Sequence, residues 1–386
     1  MSDIGSQEIT KHLNRKAIIE AVRYSHFSKL SSTVNQPANF GKTFTKYRYY
    51  PLLSDLNTNL QGIDANGAVM TGASGSNPGY GNLYGSSRDF GYVTAKIPYI
   101  AEGADRVNRV GITRVSVSAT LTRVGFFSDW TDESVQFDSD VQLRAHFTDE
   151  LVKGAEQLKE ALLQIDLING AGVVRYAGAA TDIDEVGADG VITYEDVIRL
   201  GITMDTNRAP KRFNILKGST LSDTTTVNGT RALFIPPELQ TTFMGMQNSN
   251  ETEMFTPVEK YASQTTVLEG EIGAVGGFRI IVHQDMLTHM GGGAALGGSE
   301  DYYGDGTNFT VFNCLALAAE AYTSIGFQTN SPENPKFNLV IKPPGKDMVT
   351  LDNPYGNKGV ASIQFYYATL IERPDWIGLL RGIAPI

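Results

Sequence analysis

Between Asp140 and Asn169 the apolar residues Phe147, Leu151, Ala155, Leu158, Leu162 and Ile165 recur at spacings of four, four, three, four and three. Asp149, Glu150, Lys153, Glu156, Lys159 and Glu160 occupy positions between them. That period belongs to an α-helix with one apolar seam and one charged face, and Gly170 follows as its stop signal. A helix of roughly 25–30 residues is about 40 Å long, more than most globular helices. Such an element acts as a beam, and the rest of the chain must cover its seam.

The segments around the beam mix strands and short helices. Residues 7–30 read as an amphipathic helix on Ile9, Leu13, Ala17, Ala21 and Tyr24, and a single stripe on a terminal helix has to dock on something. Thr43–Tyr50 is an aromatic, Thr-rich strand with Lys42, Lys46 and Arg48 on one side and Thr45, Tyr47 and Tyr49 on the other. Its expected partner is 113–122, where Val115, Val117, Ala119 and Leu121 alternate with Arg114, Ser116, Ser118 and Thr120. Between the two strands, 51–110 holds little core material and includes the Gly- and Ser-rich stretch 72–81, so it reads as a long projecting loop. Thr193 is an expected N-cap for a helix through Leu200, with Asp196 three residues on. Ala232–Ile235, Phe278–Val282, Phe337–Lys342 and Val360–Ile371 read as strands, the last with Ile363, Phe365, Tyr367, Thr369 and Ile371 on one face. Glu238–Met246 reads as a short helix after Pro236-Pro237, and Leu315–Tyr322 fits helix or strand. The fold class is α+β, with β segments that pair across long sequence distances.

Charge is unevenly spread. Residues 1–50 carry eight basic and three acidic side chains, a net +5, which leaves −15 for the remainder of a chain whose total is −10. A basic arm on an acidic body points to docking against an acidic surface, either nucleic acid or a neighbouring copy; a solvated basic helix is the alternative. The acidic total argues against a protein whose whole surface grips DNA. Cys314 is the only cysteine, which excludes an internal disulfide and a Cys-based zinc site. No apolar run is long enough to span a membrane, and the N-terminus has no apolar signal core.

Each chemical motif lacks a required residue. Glu185–Asp196 matches the Asp-Gly-x-Ile centre of a calcium loop, but it has Glu at the first position, Gly at the third and Asp at the last. A turn capping the following helix is the alternative, with Asp182, Asp184 and Glu185 as a loose acidic cluster. Gly291–Gly298 lacks the Lys-Ser/Thr of a phosphate loop and reads as a flexible surface loop continuing through Gly306. His283, Asp285 and His289 are a conceivable site but read as surface loop polarity. Cys314 lies in an apolar run and reads as a buried small hydrophobe. No catalytic residue, metal ligand or cofactor is expected.

The order of these elements resembles the Hong Kong 97-type capsid fold of tailed bacteriophages. The run 115–172 carries the likeness best: a returning loop strand leads into a spine helix that ends at an Asn169-Gly170 turn. Segments 40–63, 270–286 and 352–386 are similar to the major capsid proteins of Schitoviridae, short-tailed phages. The resemblance implies an N-terminal arm (1–39), an extended loop with its strands (40–125), a peripheral domain with the spine helix (126–200), an axial domain (201–336) and a return to the peripheral domain (337–386). It implies self-assembly into hexamers and pentamers of an icosahedral head around a portal protein. The same resemblance implies that the head encloses double-stranded DNA without sequence-specific binding and is assembled in the bacterial host cytoplasm, with decoration and scaffolding proteins as candidate further partners. Lys42, Lys46, Arg48, Arg88 and Arg114 are the expected inter-subunit contacts. Three rival readings are an encapsulin-like compartment, a soluble metal-dependent enzyme using 182–196, and a tail or adhesin protein, which should show regular short strands throughout and against which the long helix argues.

Overall fold

The computed structural model describes residues 27–30, 32–37, 40–49, 62–63, 69–70, 114–137, 143–216, 224–261, 267–268, 270–298, 301–328 and 337–386, with isolated positions at 90, 94 and 102. Residues 7–26 of the expected N-terminal helix, most of the 51–110 loop, and Arg88 lie outside them. The chain divides into two units, 41–120 and the remainder.

In the larger unit the beam is a 27-residue helix, Leu143–Asn169, closed by the Gly170 amide donating to the Asp166 carbonyl at 2.9 Å. Its inward face differs from the apolar seam read in the sequence. Leu151, Ala155, Leu163, Leu167 and Ile168 are buried, Leu158 and Leu162 are half-buried, and Ile165 is 42% exposed. Two polar residues, Glu160 and Gln164, complete the buried face. A pattern search keyed to apolar type passes over them, because a polar residue enters a core only where partners wait for it. Gln164 bridges to the 285–287 turn: with its amide oriented to satisfy its neighbours, it donates to the Asp285 carbonyl at 3.2 Å and accepts from the Leu287 amide at 2.9 Å.

The helix packs on the strand Lys358–Ile371. The Tyr367 hydroxyl donates to Asp166 Oδ2 at 2.7 Å. This strand organises a five-stranded sheet. It runs antiparallel to Thr122–Thr131 from Tyr367↔Thr122 to Lys358↔Thr131, and to Phe337–Lys342 from Phe337↔Phe365 to Lys342↔Val360. Its C-terminal end pairs with Tyr322–Gln328, to which Ser32–Pro37 adds in parallel. Ala361, Ile363, Phe365 and Tyr367 are buried, as the expected alternation requires. At Ala368 and Leu370 burial passes to the other face, at the point where the strand leaves Thr122–Thr131 and takes up Tyr322–Gln328.

A second, eight-stranded sheet has the order Thr256–Pro257, Glu271–Val275, Phe278–Val282, Arg231–Ile235, Val311–Leu317, Ile377–Gly382, Val173–Tyr176, with Thr288–His289 added to Val311–Leu317. Every residue of Arg231–Ile235 and Val311–Leu317 is buried. Both faces are covered, which is why these strands read as continuous apolar runs. On one face Ala232, Phe234, Leu315, Leu317, Ile377 and Leu379 join the core that holds the long helix. On the other, Leu233, Ile235, Cys314, Ala316 and Leu380 pack with Val197, Leu200 and Met204 of the helix Tyr194–Thr206. The ambiguous 315–322 run is therefore the end of one strand and the start of the next. Gly276 (φ 57°) and Gly277 (φ 84°) form the two-residue turn joining Glu271–Val275 to Phe278–Val282, where both central residues need the left-handed region.

Two stability outcomes follow from this packing. A Cβ on Gly172 would lie 2.7–2.9 Å from the Pro374 carbonyl group and the Asp375 amide, all backbone atoms. Gly172→Ala is expected to destabilise the subunit by about 1–3 kcal/mol through overpacking, read as a lower denaturation midpoint. Leu163→Ala is expected to cost about 2–5 kcal/mol. Ile165→Ala, one turn position away but facing outward, is expected to cost less than about 1 kcal/mol. Equal losses at 163 and 165 would contradict the helix orientation.

Candidate assembly surfaces

The smaller unit is built on a two-stranded ribbon. Thr43–Tyr49 pairs antiparallel with Arg114–Thr120, from Thr43↔Thr120 to Tyr49↔Arg114. Directly opposed residues share a face. Thr43, Thr45, Tyr47 and Tyr49 therefore lie with Thr120, Ser118, Ser116 and Arg114, while Phe44, Lys46 and Arg48 lie with Ala119, Val117 and Val115. The strand pairing and the basic side expected from the sequence are both present. Of the expected contact residues that are described, Arg114 lies on the opposite face of the ribbon from Lys46 and Arg48. Lys42 and Lys46 are exposed and Arg48 is half-buried. Arg114 belongs to the tyrosine face, its guanidinium carbon 4.2 Å from the centroid of the Tyr47 ring. Arg88 lies outside the described residues.

Both faces of the ribbon leave apolar surface in solvent. Tyr47 and Tyr49 are more than half exposed, and Val115 is exposed on the opposite side. Two-stranded ribbons are marginal alone because they bury too little to offset chain entropy. The larger unit presents exposed apolar residues of its own. Phe127 and Val340 are exposed and both pair with Ser362, so they flank it on the same face of the five-stranded sheet. Leu351 and Tyr355 stand out from the 343–357 loop, which is fixed by its own hydrogen bonds: Gly345 amide to Gly356 carbonyl at 2.9 Å, and Asn353 Nδ2 to the Met348 and Lys358 carbonyls at 3.2 and 3.3 Å. Sequence reading passed over all four. For Phe127 the signal was present, since it falls out of phase with Val124, Phe126 and Trp130, whose side chains turn inward.

The motifs tested for chemistry have structural roles. Thr193 and Asp196 form a reciprocal capping box on the helix Tyr194–Thr206. Asp182 caps the turn Ile183–Glu185, and Glu185 accepts from the Thr181 amide and hydroxyl, bonds that hold its carboxyl below the ordinary range. Among the described residues no group of three or more His, Cys, Asp and Glu is placed to hold a metal. The glycine loop is tied down rather than loose: Ala294 donates to the Val186 carbonyl and Leu296 to that of Thr307. His283 is not a surface residue. It is 3% exposed, stacks on Phe27 with centroids 5.0 Å apart, and accepts at Nδ1 from the Asp285 amide. Burial lowers its pKa. A histidine just past a strand end gives no local sign that another segment closes over it. Cys314 is fully buried, and desolvation pushes its thiol pKa up, which removes the thiolate a nucleophile needs. No helix among the described residues is long and apolar enough to cross a membrane.

Comparison with known proteins gives a consistent result. A family model described as phage capsid protein matches residues 114–381. The major capsid protein of Pseudomonas phage KPP21 is 41% identical over 384 residues, covering 99% of this chain and 94% of that protein. Among solved structures, the capsid of Ralstonia phage GP4 superposes with a TM-score of 0.60 at 11% identity, covering 100% of this chain and 98% of the other. The head structure of Helicobacter pylori bacteriophage KHP40 gives 0.54 at 9% identity, covering 99% and 96%. At such identities the structural likeness speaks to the fold, and it is the capsid-subunit fold, α+β in class. The chain belongs to the phage capsid protein family, a family of structural proteins of the virion and not of enzymes.

Proposed function

We propose that this chain is the major, shell-forming subunit of a phage head, built on the Hong Kong 97-type plan and nearest to the Schitoviridae. The observation that carries the reading is the end-to-end 41% identity with a major capsid protein. In this reading, copies associate as hexamers and pentamers of an icosahedral shell assembled in the host cytoplasm. The shell closes around a portal and encloses double-stranded DNA. Decoration and scaffolding proteins are further partners. An acidic body lining such a container would repel phosphate rather than bind it, which suits DNA that must be packed and released.

The domain assignment in this reading is an N-terminal arm at 1–39, an extended loop at 40–125, a peripheral domain at 126–200 continued by 337–386, and an axial domain at 201–336. Three strands cross that division: Val173–Tyr176 and Ile377–Gly382 lie in the eight-stranded sheet with Arg231–Ile235 and Val311–Leu317, and Tyr322–Gln328 lies in the five-stranded sheet with Lys358–Ile371. They would tie the peripheral and axial parts together.

The extended loop would work by docking its ribbon on a neighbouring copy. Lys42, Lys46 and Arg48 would approach acidic surface there, while Arg88 and Arg114 would add contacts elsewhere on the loop. The exposed tyrosines and Val115 would supply the apolar area that makes such a contact durable. Lys46→Glu combined with Arg48→Glu is expected to block closed shells in electron micrographs more than it lowers the denaturation midpoint of the subunit. Normal shells from the double variant would refute ribbon docking by charge. Particles free of DNA but loaded with a host enzyme would favour the encapsulin-like alternative over a phage head.

A further inference from the structure

The buried carboxylate of Glu160 has no role in the shell contacts described above. It lies in the middle of the long helix, 8% exposed, and receives the backbone amides of Phe27 and Ser28, the latter at 3.3 Å. These two residues open the short helical turn Phe27–Leu30. The turn is held at three further points. Phe27 is fully buried between Phe234 (ring centroids 4.7 Å apart) and His283. The Tyr322 hydroxyl donates to the Phe27 carbonyl at 2.6 Å. Just downstream, Ser32 Oγ and Thr323 Oγ1 are 2.5 Å apart, and Thr323 Oγ1 donates to Glu372. From Ser32 on, the segment is a sheet strand with its own ladder. Among the described residues the turn is held by the Glu160 carboxylate, the Tyr322 phenol, the buried Phe27 ring and the packing of Leu30 on the core, and it adjoins a strand with its own ladder.

We infer that the Phe27–Leu30 turn is a latch set by the ionised Glu160 carboxylate, and that protonating Glu160 loosens this turn. The inference does not depend on the head architecture proposed above. A carboxylate has acceptor sites for both amides at once. The neutral acid keeps one of its oxygens as an O–H donor, which the amides of Phe27 and Ser28 cannot use. The latch is therefore complete while Glu160 is ionised and weakens as pH falls.

Several titratable groups surround the clamp among the described residues, with Glu372 beside Thr323 next to the strand that follows the turn. Tyr322 and Tyr367 face Glu160 from the five-stranded sheet, and burial raises both phenols, so they stay neutral throughout an acid titration. Asp166 lies behind Tyr367, bonded to its hydroxyl. Lys159 is next to Glu160 on the helix, and Lys29 is on the turn itself. His283 stacks on Phe27 from the eight-stranded sheet. Its buried position keeps it neutral into mildly acidic solution, but its protonation is the rival trigger. Phe27 continues to favour the closed state through its buried ring, so acid shifts the opening equilibrium rather than abolishing closure.

Hydrogen–deuterium exchange on the full-length chain, corrected for the intrinsic pH dependence of amide exchange, tests this. As the pH is lowered from about 7.5 until Glu160 is protonated in the closed state, protection of the Phe27–Leu30 amides is expected to fall roughly ten- to a hundredfold, the equivalent of losing a hydrogen bond to a charged acceptor. Amides of Ser32–Pro37 and Arg231–Ile235 should hold their protection as internal controls. Glu160→Gln should expose the turn to the same extent already at neutral pH, with little further change on acidification. Phe27→Ala gives the fully open reference for the same peptide. Two outcomes overturn the inference: a Glu160→Gln turn as protected as wild type at neutral pH, or a Glu160→Gln turn that still opens on acidification as wild type does, which would assign the trigger to His283. Loss of protection in Arg231–Ile235 together with the turn would also overturn it, since the event would then be unfolding of the body.

Discussion

The packing of Leu143–Asn169 on Lys358–Ile371 is the contact on which the larger unit depends. About two hundred residues separate the partners, as the Tyr367–Asp166 hydrogen bond shows. Closing a loop of that length costs entropy that only many simultaneous contacts can offset. They are supplied because the strand is shared. It pairs with Thr122–Thr131 just before the helix, with Phe337–Lys342, and with Tyr322–Gln328. The helix seam, the five-stranded sheet and one face of the eight-stranded sheet then enclose a single core. No part of that core can be completed by a contiguous stretch of chain, so the unit gains its stability late and cooperatively.

Polar groups inside this core do what apolar packing does poorly, which is to fix one arrangement among many of similar burial. Gln164 fits only if the 285–287 turn presents a carbonyl and an amide at the right spacing. Glu160 fits only if two amides arrive from the N-terminal segment. Left unsatisfied, either group would carry a desolvation penalty comparable to several buried methylenes. They therefore penalise alternative dockings more than they stabilise the native one. That suits a subunit that must present the same outline in every copy.

Much of the framework was legible from periodicity: the long helix and its Gly170 stop, the Thr193 cap, the pairing of 43–49 with 114–120, and the strands at 231–235, 278–282, 337–342 and 358–371. What escaped has a common physical cause, because it depends on what arrives from far away. The inward face of the helix was misjudged at Ile165 because Glu160 and Gln164 are made inward-facing by distant partners. His283 was read as surface because Phe27, which buries it, lies some 250 residues earlier in the chain. The change of buried face at Ala368 follows from a change of strand partner, which local alternation does not encode. Charge composition marks Arg114 together with Lys46 and Arg48, and register then places Arg114 on the opposite face of the ribbon, because register, not charge, decides which face a strand residue occupies.

The ribbon of the smaller unit carries this dependence on distant partners one step further. Among the described residues, this pair of strands, with tyrosines on one face and a mixture of valine, lysine and arginine on the other, has neither a third strand nor a covered apolar face, the two usual sources of independent stability. An isolated domain under selection for solubility would shed such surface, yet here it accompanies exposed Phe127, Leu351 and Tyr355 on the body. In a protein whose family builds shells, unfinished surfaces on both units make sense if association completes the burial that folding leaves undone. The arginine on the tyrosine face then has a local purpose. Arg114 covers the Tyr47 ring through a cation–π contact, keeping the aromatic surface wetted by a charge until a partner displaces it. On the other face Lys46 and Arg48 stand directly opposite Val117 and Val115 in the ladder, and charges on a strand pair discourage premature aggregation of the free subunit.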